Sequence, residues 1–282
     1  MDRFIFRVES DNQGGMGHFY RCLALANILD GYQRAFLMNE YQPHLASILN
    51  TSNIKLETLN SKSPFIANAD ELSTYIDKKD IVILDGYQYD ESYMAVLNNI
   101  AAGLVVIDDL NKGKYFADII LNHGPHAKNA KYKSLNKTKL LLGEQYTLLR
   151  PAFYKNAGKG KVRDQVKVIT ICFGGTDPKN FTSKYLEALN HMDRSFQVNI
   201  ILGASNHNPN SEYEKFNQNL IEVMIYRNIL DEKMASLLLA SDLLIATPSG
   251  ITMEACTLNI PTITQAVFKN QDPFYEFLDQ HK

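Results

Sequence analysis

The chain has 282 residues, 45% hydrophobic and 21% charged, with a formal net charge of −2 from 29 Lys+Arg against 31 Asp+Glu. That length suits two domains of roughly 140 residues each, and the composition excludes a disordered chain. The near-neutral balance lacks the basic footprint that duplex DNA or an anionic membrane requires, so no nucleic-acid partner is expected.

The first residues, MDRFIFRVES, have no basic region followed by a long apolar run, so a secretory leader is not expected. No apolar stretch reaches the ~18 residues of a membrane span. Cys22, Cys172 and Cys256 are scattered, form no C-x-x-C pair and sit in apolar contexts (RCLAL, TICFG, EACTL). They read as buried, reduced thiols, which fits a cytoplasmic protein.

In chain order, strands are expected at Phe4–Val8, Arg34–Met38, Ile54–Thr58, Ile81–Leu84, Leu104–Ile107 and Ile119–Leu121. Helices are expected between them, at His18–Leu29, Pro43–Leu49, Ile66–Lys78 and Glu91–Ala101. The runs IVIL and LVVI are apolar at consecutive positions, as in strands buried on both faces of a parallel sheet. The rhythm stops at Tyr154–Gln165, a polar, cationic, glycine-containing stretch that reads as a solvated connector rather than an anion site. It then restarts. Strands are expected at Val166–Phe173, Gln197–Leu202, Leu220–Ile225, Leu243–Ala246 and Thr262–Thr264, with helices at Pro178–Asn190, Glu212–Asn217, Asp231–Ala240, Ile251–Thr257 and Phe274–Gln280. The expected architecture is α/β: two Rossmann-type, doubly wound parallel-sheet domains facing an interdomain cleft. Residues 1–153 form the first, 154–165 a linker and 166–282 the second.

Three strand-to-helix turns carry candidate chemistry. The first, Gln13-Gly14-Gly15-Met16-Gly17-His18, opens a helix whose free amides and positive end favour anions. A cation is disfavoured there, so His18 suits a neutral general base; the plainer reading is a histidine that packs or caps the helix start. The second, Phe173-Gly174-Gly175-Thr176-Asp177-Pro178, lets a ligand rest on the backbone, while Asp177 suits an N-cap and Pro178 the first turn. The third, Thr247-Pro248-Ser249-Gly250, starts a helix suited to a pyrophosphate, with Ser249 and Thr252 adding hydroxyls. Glu254, one turn on, would be repelled by phosphate, which leaves a ribose diol as partner or a solvent-exposed helix position. Asp85 and the Asp108–Asp109 pair end strands. Consecutive strand residues point to opposite faces, so the pair does not chelate one ion. His123 and His126 flank a Gly-Pro turn, which is weak metal evidence; no metal and no cofactor are assigned.

These segments resemble the PseG-type UDP-sugar hydrolases, which remove UDP from 2,4-diacetamido-2,4,6-trideoxy-β-L-altrose in pseudaminic acid synthesis and are similar to MurG-like enzymes of the GT-B superfamily. The resemblance runs through QGGMGHFYRCLALANIL, LDGYQYD, IDDL, DIILN, LLGEQYTLLRPAFY, ICFGGTDPKN, SGITMEA and KNQ. It implies that His18 activates water at the anomeric carbon, releasing UDP with inversion, and that Gly17 and Arg21 shape its pocket. It places Tyr87 along the sugar and Gly174, Gly175 and Asp177 on the nucleotide side. Ser249 and Gly250 would hold pyrophosphate, Glu254 the ribose, Asn270 and Gln271 the sugar or diphosphate, and the Tyr226–Ile229 turn the uracil. The segment ATPSG departs from the Gly- or Ser-rich run usual in the family. The expected partner is a small UDP-sugar, bound by a monomer. Alternatives are glycosyl transfer on the same scaffold, with an acceptor hydroxyl replacing water, and a silent nucleotide-sugar-binding protein. Residues 1–150 lack the apolar and basic patch of a membrane-acting transferase, which favours the hydrolase.

Overall fold

The computed structural model describes residues 3–8, 16–39, 41, 43–59, 68–203, 205–217 and 220–281. The chain divides into two compact units, Met1–Leu148 and Leu149–Lys282. Among the described residues no helix is long and apolar enough to cross a membrane.

Unit 1 contains β1 (Arg3–Val8), α1 (Gly17–Ile28), β2 (Gln33–Met38), α2 (Pro43–Thr51), β3 (Lys55–Thr58), α3 (Ala69–Leu72), β4 (Ile81–Asp85), α4 (Glu91–Ile100) and β5 (Gly103–Ile107). It continues with β6 (Lys114–Tyr115), β7 (Ile119–Asn122), β8 (Lys133–Ser134) and β9 (Lys139–Leu142). Seven strands form one sheet in the order β3-β2-β1-β4-β5-β7-β9, every pairing parallel. The IVIL strand shows why its residues are apolar without alternation. Val82 and Leu84 enter one core with Ile5, Leu37, Leu97 and Leu104, while Ile83 enters the opposite core with Phe6, Phe36 and Phe19. Both faces are covered, so both pleats must be apolar.

The edge strand β9 was not expected. Its burial falls from half-buried Leu141 and Leu142 to exposed Lys139 and Leu140, so its apolar pattern is weak. The third helix is also shorter than the expected Ile66–Lys78: the described part is helical only over Ala69–Leu72, capped by Asn68, whose Oδ1 accepts from the amides of Asp70 and Glu71. Residues 66 and 67, and Gln13–Gly15 of the first turn, lie outside the described residues.

Unit 2 contains α5 (Pro151–Lys155), β10 (Val168–Cys172), α6 (Phe181–Asn190), β11 (Phe196–Leu202), α7 (Ser211–Glu214), β12 (Ile221–Arg227), α8 (Asp231–Ala240), β13 (Leu243–Ala246), α9 (Gly250–Thr257), β14 (Thr262–Thr264) and α10 (Asp272–Gln280). Its parallel sheet runs β12-β11-β10-β13-β14. The helix expected from Pro178 starts only at Phe181, because Asp177 and Asn180 both have positive φ, 43° and 50°, which breaks the helical path between them.

The expected division moves in two respects. Residues 149–153 belong to unit 2 rather than to the first domain, since Leu149, Ala152 and Phe153 are buried in the unit 2 core beside Leu238 and Leu258. The stretch 154–165 is no free connector either. The amides of Gly158 and Gly160 donate to the carbonyls of Thr257 and Leu258, both at 2.8 Å, and Arg163 pairs with buried Asp242. A β-carbon on Gly160 would lie 2.1 Å from the Leu258 carbonyl oxygen, so only glycine fits this strap. Cys22 and Cys172 are buried as expected, but Cys256 is exposed, on the face of α9 turned from the core.

Candidate functional site

In each unit the sheet order reverses beside the first strand, and ligands of such sheets bind at the carboxyl ends flanking that point. In unit 1 the reversal lies between β1 and β4, with Val8 in register with Asp85. In unit 2 it lies between β10 and β13, with Cys172 in register with Ala246. The candidate residues gather at these two places.

In unit 1, α1 returns the chain to the end of β4. His18 and Arg21 are three residues apart, on one helix face with Cys22. All three reach Asp85, which is completely buried. His18 Nδ1 lies 2.7 Å from Asp85 Oδ1. Arg21 Nε donates to Oδ2 at 2.6 Å, its Nη2 donates to Oδ1, and the Cys22 thiol donates to Oδ2 at 3.4 Å. Burial alone would push this carboxyl up, but Arg21 and His18 outweigh burial and hold it well below the usual carboxylate range. Asp85 is therefore ionised at neutral pH.

Arg21 Nη2 also lies 3.0 Å from His18 Nδ1. One nitrogen cannot donate to Asp85 and accept from Arg21 at once. The carboxylate is the shorter, charge-assisted partner, so Nδ1 directs a proton at Asp85, and the neutral tautomer compatible with this contact has its lone pair on Nε2. His18 does not cap α1, which has no side-chain cap hydrogen bond among the described residues; it is buried and paired with a carboxylate.

Arg21 extends the cluster. Its Nη1 donates to Asp109 Oδ2 at 3.0 Å, and the same oxygen accepts from the Tyr87 hydroxyl at 3.0 Å. The Tyr87 ring meets the His18 ring edge-on at 4.5 Å. Beside them is a narrow cavity of about 70 Å³, with Tyr87 and Asp109 on its wall and Tyr89, Met94 and Val106 among its apolar lining. Gly17 starts α1, and among the described residues nothing lies within 4 Å of where its β-carbon would be.

The neighbouring acid does separate work. Asp108 Oδ1 accepts from the Tyr115 hydroxyl at 2.8 Å, and Oδ2 accepts from the Tyr132 hydroxyl at 2.7 Å and the Asn111 amide at 2.8 Å. Asp108 thus fixes the loop that presents Asp109. His123 is held by its Nδ1, which accepts from the Leu148 amide at 3.1 Å. Burial, then the nearby Arg21 charge, lowers its pKa to about 4, so it stays neutral. With Nδ1 accepting from backbone, the proton of the neutral ring sits on Nε2, so neither nitrogen offers a free lone pair in this tautomer.

Unit 2 is built differently. Beyond β10, Gly174 has φ 78°, a conformation that suits glycine. Gly203 lies under the turn; a β-carbon there would come 2.6 Å from Gly175 Cα, so backbone passes directly over backbone. Asp177 is buried, and its carboxylate accepts from the amides of Phe181 and Thr182 and the Thr182 hydroxyl at 2.9, 2.9 and 2.7 Å. It anchors the start of α6 from inside, as its expected helix-start role requires.

Beyond β13, Ser249 precedes α9 with its hydroxyl on Thr247 Oγ1 at 2.9 Å rather than capping the helix. Gly250 opens the helix with no atom within 4 Å of a β-carbon position. Thr252, offered as a hydroxyl donor to a ligand, instead donates to the Thr247 carbonyl at 2.7 Å. Glu254 is not a solvent-exposed helix residue; it is buried, with its two oxygens on Arg150 Nε and Nη2, both at 2.7 Å. Asn270 and Gln271 lie in a short 3₁₀ turn before α10, and Gln271 Oε1 accepts from the amides of Val267 and Phe268. That leaves the Gln271 Nε2 group as its donor end.

No family model matches the chain. The chain is 27% identical over 278 residues to the UDP-2,4-diacetamido-2,4,6-trideoxy-beta-L-altropyranose hydrolase of Campylobacter jejuni, covering 96% of this chain and 93% of that one. It is 32% identical over 272 residues to an uncharacterized protein of Methanocaldococcus jannaschii, covering 88% of this chain. The chain spans only about half of that relative, 52% of its length. Among solved structures, MurG of Acinetobacter baumannii aligns over 99% of this chain and 83% of its own, with TM-score 0.66 at 15% identity. The calicheamicin glycosyltransferase CalG4 aligns over the same shares with TM-score 0.63 at 12% identity. The fold is therefore that of the GT-B glycosyltransferases. Within that fold, the motif resemblance is borne out by the C. jejuni hydrolase, to which the chain is similar over nearly its whole length.

Proposed function

We propose that the protein is a hydrolase that removes UDP from a UDP-linked diacetamido-trideoxy sugar by water attack at the anomeric carbon, in the synthesis of a nonulosonic acid such as pseudaminic acid. The observation that carries this reading is the His18–Asp85 dyad at the sheet reversal of unit 1. Asp85 fixes the imidazole tautomer, so that Nε2 removes a proton as the water oxygen bonds to the anomeric carbon. The bond from that carbon to the phosphate oxygen breaks on the opposite face, UDP leaves, and the configuration inverts. Asp85 then faces an imidazolium, a pairing that stabilises the charge as it develops. Gly17 leaves room beside the base, Tyr87 and Asp109 border the sugar, and the small cavity suits one of its substituents.

Unit 2 holds the nucleotide in this reading. Gly174 and Gly175 allow close backbone approach, Ser249, Gly250 and the amides of α9 receive the pyrophosphate, and Glu254 the ribose. The Tyr226–Ile229 turn receives uracil, and Asn270 with Gln271 donates to the sugar or diphosphate. Helix-end stabilisation of the diphosphate needs no metal.

The test is purified protein with the UDP-sugar and no acceptor, followed by NMR. Release of UDP, with the first free sugar inverted at its anomeric centre, is expected; in ¹⁸O-water the label appears in the sugar and not in UDP. Equal release by the wild type and His18→Ala would overturn the mechanism. The fold is shared with glycosyltransferases, which favours one second reading: if UDP appears only when an acceptor alcohol is present, the chain is a transferase.

A further inference from the structure

We propose that Arg150 is a positioning residue that sets the Glu254 carboxylate for a ribose diol, so that the pair makes unit 2 select ribonucleotides over 2′-deoxyribonucleotides. This rests on the reading of unit 2 as the nucleotide side.

Glu254 sits one turn into α9, 6% exposed. A lone carboxylate there is costly, and burial pushes its pKa up, with Arg150 pulling in the other direction. The Arg150 guanidinium meets it fork to fork, Nε to Oε1 and Nη2 to Oε2, both at 2.7 Å. Two parallel bonds fix the carboxylate plane, which a single bond does not.

The guanidinium is itself held. It lies 4.9 Å over the ring of Phe153, a fully buried residue of the unit 2 core. Arg150 also directly precedes α5, whose first residue is Pro151, so its backbone is constrained as well.

A carboxylate has about four lone-pair positions, and the fork occupies two. The remaining two belong to one rigid, charged group. A vicinal diol presents two hydroxyls at a fixed spacing and needs two acceptors in that relation. Losing the 2′-hydroxyl removes one of those bonds and leaves a buried charged acceptor without its partner. Lysine at 150 would keep the positive charge but not the fork, so the carboxylate would be neutralised without being oriented.

The experiment measures binding of UDP and of 2′-deoxy-UDP by calorimetry to wild type, Arg150→Lys and Glu254→Gln, with kcat and KM for the UDP-sugar alongside. Wild type is expected to prefer UDP by roughly 10-fold or more, the range of a hydrogen bond to a charged group. In Arg150→Lys that preference falls towards unity: UDP affinity drops while 2′-deoxy-UDP affinity stays within about 2-fold. KM for the sugar nucleotide rises with kcat little changed. Glu254→Gln, nearly isosteric, gives the same loss of preference and stands in if Arg150→Lys is unstable. The proposal is overturned if Arg150→Lys weakens both nucleotides equally, which marks the pair as purely structural. It is overturned too if wild type binds both nucleotides alike while still hydrolysing the UDP-sugar, an outcome that leaves the proposed function standing. A wild type that binds no UDP at all removes both readings together.

Discussion

The two units reverse their sheets in the same way but furnish the reversal differently. Unit 1 fills it with ionisable side chains: His18, Arg21, Asp85, Asp109 and Tyr87 form one connected hydrogen-bond network. Unit 2 fills it with glycines, hydroxyls and a helix start, and keeps its charges paired internally, Glu254 with Arg150 and Asp177 with α6. One topological position thus carries an ionisable side-chain network in one unit and glycines with a helix start in the other; on the proposed function the first serves proton transfer and the second nucleotide recognition. The difference lies in side chains, because the backbone plan is repeated.

That contrast is sharpest if changes in unit 1 strike turnover and changes in unit 2 strike affinity. His18→Ala is expected to lower kcat by roughly 10²- to 10⁴-fold, the scale of a lost general base, with UDP affinity in calorimetry within a few-fold of wild type. A large loss of UDP affinity would erase the division of labour. Asp85→Asn comes next, at a loss on the order of 10² in kcat, because an amide can donate to Nδ1 and favour the wrong tautomer. Thermal stability should fall as well, since Arg21 loses its main partner.

Gly203→Ala tests the other side. Its β-carbon displaces the Gly174–Gly175 turn, so KM for the UDP-sugar should rise about 10-fold with kcat nearly constant. A fall in kcat at unchanged KM would assign that turn to chemistry. The smallest effect concerns pH. His123 has its folded-state pKa lowered to about 4 from 6.5, so the unfolded chain binds more protons between those values. Its contribution to stability is complete above about pH 6.5 and is lost as pH falls towards 4. Asp85, held low, loses its contribution only below the ordinary carboxylate range. Denaturant midpoints across pH 4–7 should flatten in His123→Asn and not in wild type.

The strands were legible because burial on both faces writes continuous apolar runs such as IVIL, and the sites were legible as glycines and acids at strand ends. What was not legible is pairing at long range. Asp85 stood out at the end of its strand, but its partnership with His18, 67 residues away, follows from β4 lying beside β1, and strand order leaves no mark in local sequence. Glu254 and Arg150 are separated by 104 residues for the same reason. The split of Asp108 from Asp109 was expected from strand alternation, but β5 ends at Ile107, and it is the loop contacts of Asp108 with Asn111, Tyr115 and Tyr132 that separate the two acids. The division near residue 148 was misplaced because the LRPAF segment and the lysine-rich stretch after it look like the end of a domain and a tether. Their buried Phe153 and the glycine contacts with α9 make them the start of the next unit.

The Arg21 fork has a consequence for how the proposed base works. Two strand-end carboxylates, Asp85 and Asp109, face one guanidinium, so with neutral imidazole the network carries one negative charge in excess. The proton that leaves water cancels that excess, and the cluster reaches formal neutrality as the new bond forms. On the proposed mechanism, then, a network that starts from the neutral imidazole would hold its charge imbalance before the reaction and lose it as the water proton arrives. Replacing Asp109 by Asn would reverse that order, making the resting site neutral and the protonated one cationic.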